Sequence, residues 1–407
     1  MRFYLICIAM RKTKWNTKIP YELTGKIIDN AMRIFENNMS KPQFKAVKST
    51  IRWVRKQTTV VLSHLYEWEH VSSKQAEKLS YHLWNVELTE IVEEKALKIA
   101  RNKIKEATWK VIISYDESDL YKPDAKKMPW LSRIRDGSTG LTWNWYIFRW
   151  VNIWWVSILS RIDEEVWEKK KWEKTVECLN QTKEQVWKQV WVYVIDRWWD
   201  CTWVHSRFAN DNKEDREEYA IRAKKNRVLL EKKTGNKKKI ISFKSGKHEV
   251  KLNSWENVYL HVIHRKWFKT NLYLFTNIDE ETETIVNHYL ARRSIEKDFA
   301  KMKQLWLEGV RLMSMLKIKN ILAITQFIIV LWQEIYEKVM ERVDTTYQHI
   351  NLHYKKYCKW RSLTENPTSF LKFISYNLDE YLSYKLTPEP INTLFGWRRE
   401  LKKLGVI

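Results

Sequence analysis

Apolar residues recur at two periods along this chain, and the changes of period divide it. From about residue 20 to 105 the period is helical. Ile27, Ile28, Ala31, Ile34 and Phe35 share one face of the stretch 25–35, and 72–99 repeats the rule with a heavily charged opposite face. Val71-Ser72-Ser73-Lys74-Gln75 reads as the start of that second helix, with serine able to cap it. Near residue 108 the pattern turns to short apolar runs. The run 111–115 predicts a buried strand ending at Asp116, and 146–153 and 155–159 predict two more. A charged helix is expected over 164–190, then a buried strand over 192–195 that also ends in an aspartate, Asp196. Strands first, then helix, strand and helix, predict an α/β fold with a mixed sheet. From about 218 to 278, β-formers cluster at 240–243, 247–252, 258–264 and 272–276, with turns at Thr234-Gly235-Asn236 and Ser245-Gly246. The last third reads as helical over 282–303 and 317–340, with a short basic helix near 394–404.

Charge adds a partner to this outline. Lys and Arg number 73 against 49 Asp and Glu, a formal net charge of +24 over 407 residues, which suits a polyanion. A membrane surface is also anionic. The longest apolar stretch, 321–331, contains Thr325 and Gln326 and is shorter than the roughly 20 residues of a spanning helix. Residues 1–10 are apolar without a basic leader or a small-residue cleavage site, so no signal peptide is expected. Cys7, Cys178, Cys201 and Cys358 are scattered, without metal-ligand pairing or a disulfide framework, so a reduced, cytoplasmic protein is expected.

The chain has 24 Trp and only 8 Gly. Ordinary usage of about 7% Gly predicts roughly 28 in a chain of this length. The hypothesis that follows is that many of these Trp positions are glycine in the protein as the cell makes it, through a UGA codon read as glycine. The alternative is a truly Trp-rich protein, and Trp codons that are mostly UGG would establish it.

Tyr289, Arg292, Glu296 and Lys303 stand at offsets 0, 3, 7 and 14 in the expected helix 282–303. At about 100° per residue they fall within roughly 60° of one another, so one face carries a carboxylate, two cations and a phenol. By itself this is also the pattern of a solvated face with an Arg292–Glu296 ion pair. Asp116 and Asp196 alter the balance. Each follows a buried strand, where α/β sheets gather ligands, although a lone aspartate there also makes turns. Three carboxylates form a hard-oxygen set suited to Mg²⁺ or Mn²⁺.

The spacing of Tyr289, Arg292, Glu296 and Lys303, within Tyr289-Leu-Ala-Arg-Arg-Ser-Ile-Glu-Lys-Asp-Phe, resembles the signature of bacterial insertion-sequence DDE transposases of the IS-four type. Tyr115-Asp116-Glu117-Ser118-Asp119 with Lys122-Pro123 resembles that family's first aspartate segment, and Val194-Ile195-Asp196-Arg197 its second. Residues 221–227 resemble its basic strand, and the likeness spans about residues 40–335. Trp130, Trp145 and Trp198 fall where this resemblance implies glycine.

The resemblance implies a ribonuclease-H-like mixed sheet with a β-strand insertion at about 218–278. It implies a catalytic domain over 106–335, between a helical DNA-binding region at 1–105 and a helical C-terminal region at 336–407. Asp116, Asp196 and Glu296 would be the catalytic residues and hold two ions, Mg²⁺ or Mn²⁺. Tyr289, Arg292, Lys303, Arg222, Lys224 and Arg227 would bind DNA, with help from the basic turn 232–239, and the basic stretch 41–56 would recognise DNA ends. The implied activity is metal-dependent cleavage at transposon ends and strand transfer into target DNA. The partners would be double-stranded DNA and a second copy in a synaptic homodimer, with no membrane; the implied place is the cytoplasm, at the nucleoid when DNA-bound. Two alternatives stay open: an inactive DNA-binding relic, and a ribonuclease-H-like nuclease that does not join strands. Asp119 and Asp200 are spare carboxylates, read as supporting or capping residues, and His288 as a surface histidine.

Overall fold

The computed structural model describes residues 18–107, 110–122, 128, 131–135, 142–154, 156–162, 171–186, 191–196, 200–208, 217–232, 234–252, 257–264, 271–341, 354–355 and 358–359. The chain divides into two compact units, Met1–Asn37 with Ile329–Ile407, and Asn38–Ile328. In the first, helix α1 (Lys18–Asn37) buries Ile27, Ala31, Met32 and Phe35 along one stripe, as its period predicts.

The second unit opens with α2 (Lys41–Gln57), α3 (Leu62–Trp68), α4 (Ser73–Trp84) and α5 (Thr89–Glu106). The single helix expected over 72–99 is therefore two. The side chain of Asn320 accepts from the Leu88 N–H and donates to the Leu83 and Val86 carbonyls, supplying the hydrogen bonds that the break releases.

Among the described residues, eleven strands form one mixed sheet. They are β1 (Val111–Tyr121), β2 (Ser132–Arg135), β3 (Thr142–Ile153), β4 (Val156–Ile162), β5 (Trp191–Ile195), β6 (Glu218–Arg222), β7 (Val228–Glu231), β8 (Lys237–Lys239), β9 (Gly246–Lys251), β10 (Asn257–Ile263) and β11 (Leu272–Thr276). The order is β2-β3-β1-β5-β6-β11-β10-β9-β7-β8, with β4 on β3. The β1–β5 and β5–β6 pairs are parallel and the others antiparallel. All five residues of β5 are buried, as a parallel strand covered on both faces requires. Alternation assigns the faces. Ile112, Val192, Val194 and Ala220 pack with Ile285, Val286 and Tyr289 of α8 (Thr282–Leu290). On the other face, the Tyr115 hydroxyl meets Thr175, and the Tyr193 hydroxyl meets the Leu179 carbonyl, both on α6 (Lys171–Val186). A short helix, α7 (Thr202–Phe208), comes after β5 in the chain.

Several expectations change here. The strand expected to end at Asp116 runs on to Tyr121, because β3 pairs it through Tyr121↔Trp145. The stretch 240–243 is a 3₁₀ turn (Ile240–Ser242) that buries Ile240, not a strand. The helix expected over 282–303 divides at Ala291-Arg292 into α8 and α9 (Arg293–Gln304). Of the stretch 164–190, α6 covers 171–186, and the remainder lies outside the described residues, as does the basic helix near 394–404. The last long helix, α10 (Met315–Glu341), contains a 21-residue segment, Met315–Ile335, long and apolar enough by composition to cross a membrane, contrary to the estimate from 321–331 alone. That segment is 78% buried inside the fold, and its Gln326 bonds Ser157 and Ser160 of β4.

Two Trp residues occupy left-handed backbone. Ile153 pairs with Val156, so two residues join β3 to β4, and the first, Trp154, has φ 52°. Trp306 follows α9 with φ 60° and ψ 32°, its N–H donating to the Lys303 carbonyl. Two-residue hairpin turns and the residue after a helix are places where glycine is favoured. Trp130 and Trp198 lie outside the described residues; Trp145 is within β3.

Candidate active site

Register alone brings the two aspartates together. Tyr115 is level with Ile195, and Ile195 with Ile221, in neighbouring parallel strands. The next residues are Asp116 within β1, Asp196 just past β5 and Arg222 at the end of β6, at the carboxyl end of the parallel pairing, where ligands gather in such sheets. By the alternation that sends Ile112, Val192, Val194 and Ala220 toward α8, these three residues share the α8 face. The Arg222 guanidinium lies 4.0 Å from the Asp196 carboxylate.

Glu296 arrives on the opposite layer, in the first turn of α9, where a carboxylate is favoured by the helix dipole. Arg292 links the layers. Its Nη1 donates to Asp116 Oδ2 at 2.5 Å and its Nη2 to Glu296 Oε1 at 2.5 Å. The Tyr289 hydroxyl donates to Asp196 Oδ1 at 3.2 Å, and the Arg292 guanidinium lies 5.7 Å from the centre of the Tyr289 ring. Tyr289, Arg292 and Glu296 thus meet Asp116 and Asp196, although the expected single helix is broken between them. At the break, Arg292 N–H donates to Tyr289 and Ile295 N–H to Arg292, the tighter 3₁₀ spacing. Lys303, an exposed residue near the end of α9, makes no ion pair with these carboxylates.

Burial pushes the Asp116 carboxyl up, and repulsion from Asp196 and Glu296 adds to it. Arg292 and the Glu117 N–H pull the other way, and the result is about 7. Burial works against the Arg292 charge, but Tyr289, Asp116, Asp196 and Glu296 outweigh it and hold the guanidinium above its ordinary value. Burial, with Asp196, pushes the Tyr289 hydroxyl up to about 12, which keeps it a donor.

In the basic segment, one of the expected DNA ligands has an acidic partner within the chain. Arg227 is paired with Asp200 through Nε (3.0 Å) and Nη2 (2.6 Å), and Lys224 gives its backbone N–H to the same carboxylate at 2.7 Å. His205 Nε2 completes the set at 3.1 Å, with its Nδ1 3.3 Å from the Tyr219 hydroxyl. Asp200 is therefore the centre of a buried network rather than a cap. In the basic turn, Lys232 pairs with Glu249 and Lys238 with Glu231. His288 is half-buried, not a surface residue, and the Asp119 side chain lies outside the described residues.

Two further residues fix α9. Asp298 is buried, accepting from Asn152 (2.7 Å) and Lys301 (3.0 Å). The buried Lys122 amine donates to the carbonyls of Leu307, Glu308 and Val310 at 3.1, 2.8 and 2.7 Å, tying the segment after α9 to the end of β1. Asp298 carried no sequence signal, since a charged residue within a charged helix reads as solvent-facing. Lys122 was visible only as part of the quoted motif.

The carboxylates of Asp116, Asp196 and Glu296 offer hard oxygens only, the donor type that Mg²⁺ and Mn²⁺ take. Their mutual repulsion persists at Asp116 although Arg292 is paired with it, and a divalent cation would relieve it. As the side chains stand, no three Asp, Glu, His or Cys residues among the described residues are gathered tightly enough for one ion, and Arg292 is what lies between the acids. No family model and no curated protein matches the chain. Among solved structures, the piggyBac transposase synaptic complex with hairpin DNA, determined by cryo-EM, is similar to it with a TM-score of 0.47 and 9% identity, over 86% of this chain and 74% of that chain.

Proposed function

We propose that this chain is a DDE-type transposase that cuts DNA at the ends of a mobile element and joins them to target DNA. The observation that carries the reading is that Arg292 joins Asp116 to Glu296, with Asp196 as a third acid acting on the same guanidinium, beside the parallel pairing of β1 and β5. The order β4-β3-β1-β5-β6, three antiparallel strands followed by two parallel ones, supports a ribonuclease-H-like core. Strands β7–β10, between β6 and β11, then form the insertion. The net charge of +24 fits double-stranded DNA as the partner.

In this reading Asp116, Asp196 and Glu296 hold two Mg²⁺ or Mn²⁺ ions. Bound there, such ions acidify a water and offset charge on a leaving 3′ oxygen. The chain's own residues position the rest. Tyr289 orients Asp196 through its hydrogen bond, and Asp298 and Lys122 hold α9, and with it Glu296, against β1 and β3. Arg222 and Arg292 are cations beside the acids, suited to phosphates next to the cut. Two ends need two protomers, so the acting species is a homodimer.

A linear duplex carrying the element's ends, incubated with Mg²⁺ and target DNA, tests this. The wild type is expected to give both cut ends and joined products. Asp116→Asn, Asp196→Asn and Glu296→Gln are each expected to lose at least about 100-fold in both. Cleavage without joined products would replace transposition with a nuclease activity, and full activity in Asp116→Asn would end the reading.

A further inference from the structure

Arg292 occupies the middle of the acid cluster with a cation of the protein's own. Its two Nη groups each hold a carboxylate, one from β1 and one from α9, at 2.5 Å. Its Nε is buried and has no hydrogen-bond partner. Buried polar groups that only hold a fold have hydrogen-bond partners; here one buried donor is left over. The residue sits at the break between α8 and α9, where the hydrogen bonds shorten their spacing without a proline or a glycine nearby. Of the two acids it joins, Asp116 is held in the middle of β1, whereas the Glu296 side chain is 52% exposed and has room to change rotamer.

The same oxygens cannot serve Arg292 and a divalent cation together. An arginine displaced from carboxylates keeps its charge and its planar fork, and the ligand that replaces a carboxylate for such a fork is a phosphate. DNA supplies one beside the acids. We propose that Arg292 is an exchangeable counterion, competing with divalent cations for Asp116 and Glu296 and passing to a DNA phosphate when they bind. Metal and DNA then bind cooperatively, each helping to release Arg292 for the other, and by linkage the coupling is equal in both directions. This rests on the metal-holding role given above to the three acids.

Mn²⁺ binding to the full chain, followed by the electron-spin-resonance signal of free Mn²⁺, is the test. In the absence of DNA, Arg292→Gln is expected to bind Mn²⁺ about tenfold more tightly than the wild type. Arg292→Lys, which keeps the charge but cannot bridge two carboxylates, is expected to fall between. A short duplex is expected to tighten Mn²⁺ binding by the wild type and to change that of Arg292→Gln little. Thermal melts identify folded variants, and Arg292→Lys carries the test if Arg292→Gln does not fold. If Asp116→Asn abolishes Mn²⁺ binding while both Arg292 variants bind it no more tightly than the wild type, the exchange is wrong and the cation site stands. If Asp116→Asn leaves Mn²⁺ binding unchanged, the site itself is wrong, and the exchange with it.

Discussion

Asp116 and Asp200 both lie near the carboxyl end of the parallel pairing and both are paired with arginine, yet their surroundings are opposite. Burial pushes the Asp200 carboxyl up, but His205, Arg227 and the Lys224 N–H outweigh it, and it lies below the usual carboxylate range. Asp116 shares Arg292 with Glu296, has Asp196 as a further negative neighbour, and stands at about 7. One acid has more donors than it needs; the other has part of one cation. Saturation suits an acid that holds the fold; under the proposed function, shortage suits an acid kept for chemistry.

Equilibrium denaturation of substituted chains can break this contrast, and the largest effect is expected at Asp200. Asp200→Ala leaves Arg227 and the Lys224 N–H without their acceptor and should cost about 3–5 kcal/mol, as removal of one partner of a buried pair does. Asp116→Asn, measured the same way at pH 8, should cost nothing or add stability. The reverse order would remove the distinction between the two acids.

The pH dependence should separate them next. The Asp116 carboxyl, ordinarily 3.8, is raised to about 7 in the folded chain, so between those values the folded state holds a proton that the unfolded state has lost. The stability this contributes is fully present below about 4 and is lost as pH rises through about 7. Relative to wild type, Asp116→Asn should therefore gain on the order of 1–3 kcal/mol between pH 5 and pH 8. Asp200 has the opposite sign: its contribution is present above its unfolded value and is lost as pH falls through its depressed one. A stability difference for Asp116→Asn that stays flat across this window would contradict the shortage of cations there.

That Asp116 and Asp196 come side by side was legible, because each lies directly after the apolar run that pairs β1 with β5. The contacts of Lys224 and Arg227 with Asp200 were not, because they form only once β5 and β6 lie side by side, and 24 and 27 positions separate the partners. Asp298 shows the same limit more strongly, its acceptor role depending on Asn152 at a separation of 146. The break at Ala291-Arg292 leaves no mark at all: both residues keep right-handed helical dihedrals, and only the hydrogen-bond spacing changes. The break at Asn85–Leu88 escaped for another reason, being satisfied by Asn320 from a distant helix.

A smaller effect distinguishes the two arginines of the basic segment in DNA binding. Arg222 lies 4.0 Å from Asp196 and is 34% exposed, whereas Arg227 is 16% exposed and engaged by Asp200. If Arg222 meets a phosphate, Arg222→Gln should reduce the slope of log affinity against log salt by about 0.9. Arg227→Gln should leave the slope unchanged while lowering stability. Equal loss of slope in both would place Arg227 on DNA despite its partner.

The smallest effect concerns the end of the helix that carries Glu296. Trp306 holds φ 60° after α9 with its side chain 62% exposed, so it carries the strain of a left-handed residue with little packing in return. That conformation costs about 1–2 kcal/mol for a residue with a Cβ, and glycine relieves it. Glycine also gives the unfolded chain more freedom, about 0.4–1 kcal/mol in the other direction. The net expectation for Trp306→Gly is a gain of roughly 0.5–1 kcal/mol. Trp154 is a weaker case, because its side chain packs against the core beside Ile112 and Val192, and glycine there would lose that contact. If residue 306 is glycine in the native protein, the tryptic peptide from Gln304 to Arg311 will be lighter by the mass difference between the two residues, and the Asp116 cluster will be braced by an unstrained helix end. A peptide with intact Trp306 would refute that recoding at this position, and the cluster would then rest on a strained support that the Asp200 network lacks.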